Sequence, residues 1–435
     1  MRWWQRLTRR QFLTSGGLSL ASVALPATLG TPRAGAAPPA QAPAPAPAMP
    51  PPPQPGIVTP VPNAVVLAGL TVLVSTRERL AHLLQELDRE IHLLAAGEAG
   101  AAALPLLPRR RATNSGELGY QPTPEAALEV TLGFGASLFG GPDIGPDRFG
   151  LAAVRPRGLT PMPSFPGDDL DPAQTDSDLF LQLGASHPMV ALHGLRHLLR
   201  RLGWGLALKY AFTGFTFFPG SGTPAPRGLL GYHDGTNNLP ATDPAAMAEH
   251  VWIQPADEEP AWCLGGTYLV VRRIRELLER WDRESAERQD FHMGRRKFDG
   301  TSLLAPDAPP TAPFDYAADP DGRVVPLTAH VRRANPRRPG DEASRFLRRS
   351  FAYFVGDAGG TLDAGLLFMA FQRNIERQFA ATKRRLEAPD DPALGSGPQT
   401  LSEYLVPNGG GYYFVPPAPA SPDEFLGEGL LRAAG

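Results

Sequence analysis

An α+β fold, with a ferredoxin-like split βαβ unit in the first half and a second α+β unit of similar order after it, is what this sequence predicts, and three features lead to it. Strand-like and helix-like apolar patterns follow one another as β-α-β-β-α-β through the first half of the folded part, and the second half repeats that grammar. A length of 435 residues accommodates two such units beside a leader and a linker. With 42% apolar residues the chain can bury a core, while 49 prolines and 46 glycines are too many for a mainly helical bundle.

Each element has its own warrant. Val65 to Val74 (VVLAGLTVLV) is an unbroken, β-branched apolar run and reads as a buried strand. Thr76 to Ala96 carries Leu80, Leu83, Leu84, Leu87, Ile91 and Leu94 as a helical stripe, with Thr76 near the cap. Ala127 to Phe134 and Asp178 to Leu183 alternate as strands, and Pro188 to Leu202 is a second amphipathic helix. Leu206 to Phe218 reads as a strand pair. In the second half, Gly265 to Val271 is a strand and Arg273 to Trp281 belongs to a helix. Phe351 to Val355 and Gly365 to Phe371 flank the turn Gly356-Asp357-Ala358-Gly359-Gly360 as a hairpin. Gln372 to Leu386 is a helix with Ile375, Phe379 and Leu386 apolar. The expected organisation is a leader over 1–36, a linker over 37–63, an N-terminal ferredoxin-like domain over 64–225 and a C-terminal one over 226–435.

The leader is a targeting signal. Thr8-Arg9-Arg10-Gln11-Phe12-Leu13 precedes a weakly apolar, glycine-broken stretch, and Ala34-Gly35-Ala36 fits small-residue cleavage before Ala37. The arginine pair resembles a twin-arginine signal, which implies export of a folded protein by the Tat translocon to the periplasm, with secretion as the alternative. Residues 37–63 hold 12 prolines in 27 positions and read as an extended spacer. The formal charge of -2 hides five leader arginines; the remaining 37 basic and 44 acidic residues leave an acidic body, which argues against a nucleic-acid partner. The one cysteine, Cys263, excludes internal disulfides, all-cysteine metal centres and covalent c-type haem.

Nine histidines are the remaining chemical signal. His82 and His92 lie on an amphipathic helix as surface or boundary residues, and His187, His250 and His292 have no partner pattern. His193 and His197 are spaced i,i+4, but no glutamate follows the first, so a metalloprotease motif fails and a plain helix surface is expected. His233 lies in Gly231-Tyr232-His233-Asp234-Gly235-Thr236-Asn237-Asn238. That loop is either a tight turn or a place where glycines let the backbone approach a flat ligand. His330 opens His330-Val331-Arg332-Arg333-Ala334-Asn335-Pro336-Arg337, which is either a solvated basic loop or a histidine ligand with arginines beside it for an anionic group.

Taken together, these segments resemble the dye-decolorising peroxidase family. GYHDGTNN resembles its GxxDG motif, and AHVRRANPR followed 18 residues after His330 by Arg348 resembles its proximal-histidine and distal-arginine region. DLFLQLGA at 178–185, GGTYLVVRRIR at 265–275, MGRRKFDG at 293–300, GLLFMAFQRNIERQF at 365–379 and NGGGYYF at 408–414 extend the likeness over about 63–420. With the leader, the chain looks most like the exported deferrochelatase/peroxidase subgroup. The resemblance implies one non-covalent haem b per chain in the C-terminal domain, with His330 as proximal ligand to the iron and Asp234 and Arg348 as the distal catalytic pair. It also implies Gly235, Thr236 and Asn237 at the haem face or edge, Asn335 and Pro336 on the proximal side, and Arg295 and Arg337 near the propionates. Asp363 and Glu376 are the candidate carboxylates behind His330; His233 is the rival to Asp234 as base. Where some family members place an asparagine two positions after the distal arginine, this chain has Ser350.

Two functions fit that site. One is a peroxidase reducing hydrogen peroxide and oxidising small organic donors such as dyes and phenolics by one-electron steps, best in acid if an aspartate is the base. The other is a haem-handling protein that releases iron from the porphyrin, with iron-uptake partners. A chlorite dismutase-like activity is disfavoured by the Asp234 and Arg348 pairing. Trp204, Trp252, Trp262 and Trp281 are either electron relays or plain core, and a homo-oligomer is compatible with everything above.

Overall fold

The computed structural model describes residues 51–96, 128–217, 226–388, 390–391 and 394–435; the leader and the first part of the linker lie outside them. The strands are β1 (Ala64–Val72), β2 (Glu129–Gly135), β3 (Leu179–Ala185), β4 (Leu206–Phe215), β5 (Thr267–Glu276), β6 (Leu347–Arg348), β7 (Phe351–Asp357), β8 (Leu362–Gln372), β9 (Asp390–Asp391), β10 (Gly395–Ser396) and β11 (Leu405–Val415). The α-helices are α1 (Arg77–Ala95), α2 (Ala136–Phe139), α3 (Pro188–Leu202), α4 (Pro244–His250), α5 (Leu278–Trp281), α6 (Ala286–Met293), α7 (His330–Ala334), α8 (Ala381–Glu387) and α9 (Glu428–Ala433).

Eight strands close on themselves. The order runs β5-β11-β2-β3-β1-β4-β7-β8, and β8 pairs back onto β5, all antiparallel. Two seams are thin: β11 meets β2 only at Tyr413↔Gly135 and Phe414↔Phe134, and β4 meets β7 at Phe215↔Ala352. Between the seams lie two four-stranded sheets, β2-β3-β1-β4 and β11-β5-β8-β7.

Closure explains the apolar runs. In β1, Val65 and Leu67 pack with Phe180, Leu269, Leu367 and Val415, while Val66, Ala68 and Leu70 join a core with the α1 and α3 leucines. Both faces of the strand are buried, so it reads as a continuous run rather than an alternation. Tyr413 and Tyr210 sit in the first of these cores with their hydroxyls bonded to each other, and Ser177 Oγ bonds Tyr413. Helix α1 starts where Thr76 caps it, its side chain accepting from Arg79 N at 3.3 Å.

Several expectations are corrected. Leu206–Phe215 is one ten-residue strand, because it spans the whole sheet beside β1. Arg273 to Glu276 continues β5 and only Leu278–Trp281 is helical; the charged sequence RRIRE resembles a helix surface, but these arginines are held by Asp168, Asp363 and Thr361. The helix expected from Gln372 begins as a π-turn at Glu376–Ala380, where Ala380 N donates to Ile375 O at 2.9 Å. His197 is not a surface residue: it is buried, with Nε2 2.7 Å from Glu90 Oε2.

The spacer reading fails for its second half. Gln54 is buried, donating to Leu132 O and Pro416 O at 3.0 and 2.8 Å and accepting from Leu132 N at 2.8 Å. Ile57 packs into the core, and Arg349 donates to the carbonyls of Thr59 and Pro60. Gly56 adopts φ +85°, and a Cβ there would lie 2.4 Å from Thr131 Oγ1, so the chain can lie this close only as glycine. Residues 51–63 are therefore a packed strap, with polyproline composition supplying stiffness rather than freedom.

Candidate functional site

A cavity of about 330 Å³ opens between the Arg272–Glu276 part of β5, the Leu366–Phe368 part of β8, the loop around 230–238, α7 and α8. Asp234, Thr236, Asn237, Arg295, His330, Asn335, Arg337 and Arg348 all line it, so the structure brings together eight of the ten residues singled out by the resemblance. Gly235 and Pro336 do not line it; both shape backbone. Gly235 takes φ +99°, turning the chain so that Asp234 and Thr236 reach the same space. Pro336 forces Asn335 out of the helical region, to φ -145° and ψ 93°, and so ends α7.

Two separate segments supply the Asp234 and Arg348 side chains. Arg348 Nη2 and Nε approach Asp234 Oδ1 at 3.2 and 3.4 Å, with both side chains about one-third exposed. Arg348 lies in β6, whose position on β8 is fixed at Leu347↔Phe371 and Arg348↔Ala370. Asn238 grips both backbone polar groups of Arg348: its Oδ1 accepts from Arg348 N at 2.9 Å and its Nδ2 donates to Arg348 O at 2.8 Å. One loop thus delivers the carboxylate and holds the arginine opposite it. His233 also lines the cavity.

His330 is the first residue of α7. Its Nδ1 lies 2.6 Å from Gln399 Oε1, which leaves Nε2 as the ring nitrogen open to a ligand. Burial lowers its pKa, partly countered by the Gln399 hydrogen bond, so the imidazole is held neutral. Asp363 and Glu376 are not its partners. Asp363 accepts two bonds from Arg273 Nη2 at 2.6 and 2.7 Å, and Glu376 is an exposed partner of Arg384. The carboxylate nearest this network is Glu387, 3.4 Å from Gln399 Nε2, and it also accepts from Ser402 and Lys383.

The arginines divide by role. Arg332 and Arg333 are buried and bolt α7 to its surroundings, through Asp319 and Val325 O on one side and the carbonyls of Arg385, Ala388 and Gly395 on the other. Arg337 turns into the cavity with φ +61°, a left-handed conformation held by Asn335 Oδ1 accepting from Arg337 N at 3.1 Å. Its Nη1 pairs with Glu342 at 3.0 Å, but its buried Nε has no hydrogen-bond partner. Arg295 donates to two backbone carbonyls and stacks over Phe314 without a carboxylate, and burial pushes its pKa down to about 10, with Arg348 and Arg337 adding repulsion.

Apolar walls complete the space: Ile274, Phe346, Leu366 and Phe368 near Arg348, and Val331, Leu386 and Leu401 near His330. Ser350 Oγ lines it too, buried and unpartnered. A flat, largely apolar macrocycle carrying two carboxylates and a metal that takes one imidazole fits these donors: an open Nε2, the orphaned Nε–H of Arg337 and Arg295 without a counter-charge. Among the described residues no three histidine, cysteine, aspartate or glutamate side chains cluster as a metal site. Cys263 is buried away from the cavity, its thiol acidity suppressed by burial.

Sequence reasoning missed Asn238, Gln399 and Glu276. Asn238 stood inside a quoted motif but had no assigned task. Gln399 lies 69 residues from His330 with no local pattern. Glu276 was hidden by the helical reading of its segment.

Several known proteins resemble this chain along most of its length. Residues 54–216 match the family description "Dyp-type peroxidase, N-terminal" and residues 225–420 "Dyp-type peroxidase, C-terminal". A deferrochelatase of Escherichia coli O6:K15:H31 is 36% identical over 384 residues, covering 87% of this chain and 85% of that protein; one from Shigella sonnei matches at the same identity. Among solved structures, a DyP-type peroxidase from Streptomyces coelicolor superposes with TM-score 0.73 at 33% identity, over 87% of this chain and 95% of that one. Ferric DtpA from Streptomyces lividans gives TM-score 0.72 at 32% identity over 87% and 95%.

Proposed function

Because the chain belongs to the Dyp-type peroxidase family and is a haem-dependent peroxidase acting on hydrogen peroxide, we propose that His330 holds the haem iron while Asp234 and Arg348 work the opposite face. The observation that carries this is the convergence, in one cavity, of a neutral histidine with an open Nε2 and an aspartate–arginine pair. When bound, haem supplies the redox-active iron. The chain's residues do the rest. Asp234 accepts the proton from the inner peroxide oxygen and returns it to the outer one. Arg348 stabilises negative charge on the departing oxygen. Gln399 orients the ring of His330, with Glu387 behind it. Arg337 and Arg295 take the propionates, satisfying the orphaned Nε, and Thr236, Asn237 and Asn335 line the remaining edge.

Three variants separate these roles. His330→Ala should lose most of its haem, read by the Soret absorbance per chain. Asp234→Asn should keep haem and react with peroxide about 10²- to 10⁴-fold more slowly. Arg348→Leu should also keep haem and slow about 10²- to 10³-fold. Wild-type rates in both distal variants would remove the assignment of that face.

The finer architecture is proposed as two ferredoxin-like domains, 64–225 and 226–435, with haem in the second. The strand orders support it: β2-β3-β1-β4 and β11-β5-β8-β7 are the same 2-3-1-4 and 4-1-3-2 arrangement read from opposite ends. Export by the twin-arginine route to the periplasm is supported by the leader motif. No helix among the described residues is long and apolar enough to cross a membrane. Replacing Arg9 and Arg10 by lysine should trap haem-loaded precursor in the cytoplasm, and normal delivery would overturn the route.

A second reading has its own support, the 36% identity to proteins named deferrochelatase. In it, this same cavity releases iron and leaves the porphyrin intact, feeding iron-uptake partners. Iron-free porphyrin fluorescence after reduction with a ferrous chelator present tests it; its absence leaves the peroxidase alone.

A further inference from the structure

The cavity contains a carboxyl group with no task in the scheme above. Glu276 ends β5, is 4% exposed and lines the same space as Asp234 and Arg348. Its Oε2 is buried without a hydrogen-bond partner, and among the described residues no arginine or lysine pairs with it. The neighbouring strand offers Leu405 opposite it, from β11. The titratable groups that face it are Asp234, from the 230–238 loop, and Tyr353, from β7. Neither can neutralise a carboxylate. Arg348 is engaged by Asp234, and the other cations that line the cavity have partners elsewhere, Arg272 with Asp168, Arg337 and Arg345 with Glu342, Lys383 with Glu387 and Arg295 with backbone carbonyls. A buried carboxylate beside Asp234 with no ion-pair partner of its own is unfavourable, so one of the two acids must keep its proton. The choice falls on the group without a partner.

We propose that Glu276 is a second acid of this cavity: it stays un-ionised while Asp234 is the carboxylate, and its O–H is a hydrogen-bond donor toward an oxygen ligand held beside Arg348, the proton that moves between the peroxide oxygens being the one Asp234 carries. Burial, and then the charge of Asp234, push its pKa up to about 8, which agrees with the geometry. Environments that drive two carboxyls apart in this way divide the acid from the base. The protonation state is a property of the chain itself; only the direction of the proton toward peroxide rests on the peroxidase reading.

Infrared difference spectroscopy of the full-length, haem-loaded protein tests it. The wild type should show an un-ionised carboxylic C=O band at pH 6.5 that titrates away around pH 8, and Glu276→Gln should lack it, with haem content unchanged. A wild-type spectrum without such a band overturns the proposal, as does a band that persists in Glu276→Gln. In stopped-flow, the wild-type rate with peroxide should fall on the alkaline side of about pH 8, and that limb should be gone in Glu276→Gln. If the band behaves as expected but the limb is unchanged, the donor role is overturned while the peroxidase reading stands. Loss of the limb together with wild-type rates in Asp234→Asn would instead count against the peroxide chemistry assigned to Asp234.

Discussion

At the scale of the residue, Arg348 owes its position to an amide. Asn238 binds both the N–H and the C=O of Arg348, so the guanidinium is aimed by its own backbone rather than by side-chain packing alone. Asn238→Ala leaves both groups half-satisfied and should cost about 1–3 kcal/mol in urea unfolding. It should also slow the peroxide reaction while leaving haem content intact; unchanged kinetics would show that β6 is held by β8 alone. Glu276 gives a second prediction. Its proton is held more tightly in the folded state than in the unfolded chain, whose value is near 4.5. The unfolded chain therefore ionises first as pH rises. Wild-type stability should fall relative to Glu276→Gln between about pH 4.5 and 8, and level off above; a pH-independent gap in thermal midpoints would refute the burial argument. Asp234, Arg348 and His330 were legible because each sits in a short contiguous motif. Gln399 and Glu276 were not, because each meets the cavity through tertiary contacts between segments far apart in sequence.

Among the elements, the strap is where composition misleads most. An Ala/Pro stretch has little apolar material, and a spacer is the natural reading; what anchors it is one amide, Gln54, one aliphatic side chain, Ile57, and a glycine that lets the backbone lie flat. Deleting residues 51–60 should lower the unfolding midpoint and strand the buried guanidinium of Arg349, which neighbours Arg348. Gln54→Ala alone should cost about 1–3 kcal/mol, since Leu132 N would lose its acceptor. A deletion variant as stable as the parent would return these residues to the spacer. Strand β1 and helices α1 and α3 were legible because periodicity and burial agree there. The end of β5 was not, since four charged residues in five satisfy a helix surface as well as the strand they form, where Arg272 and Arg273 are buried against carboxylates and Glu276 is buried without one.

For the whole molecule, acid sensitivity follows from buried histidines. Burial lowers the pKa of His250 and of His292, so each resists protonation when folded and accepts it freely when unfolded. Below about pH 6.5 the unfolded chain binds these protons first, and stability should drop as pH falls further. Replacing both by glutamine should flatten that drop in urea titrations between pH 7 and 5; an unaltered slope would assign it to other groups. Closure of the barrel also has a consequence for the order of events during synthesis. Strand β11, residues 405–415, is the wedge between β5 and β2, and it emerges from the ribosome after every other strand. Until it arrives, the nascent chain carries two open sheet edges, one in each half, and the cavity lacks its Leu405 and Pro407 wall. With haem in this cavity, as proposed, its capture should wait for that wall, and a nascent chain arrested short of Leu405 should show no Soret absorbance.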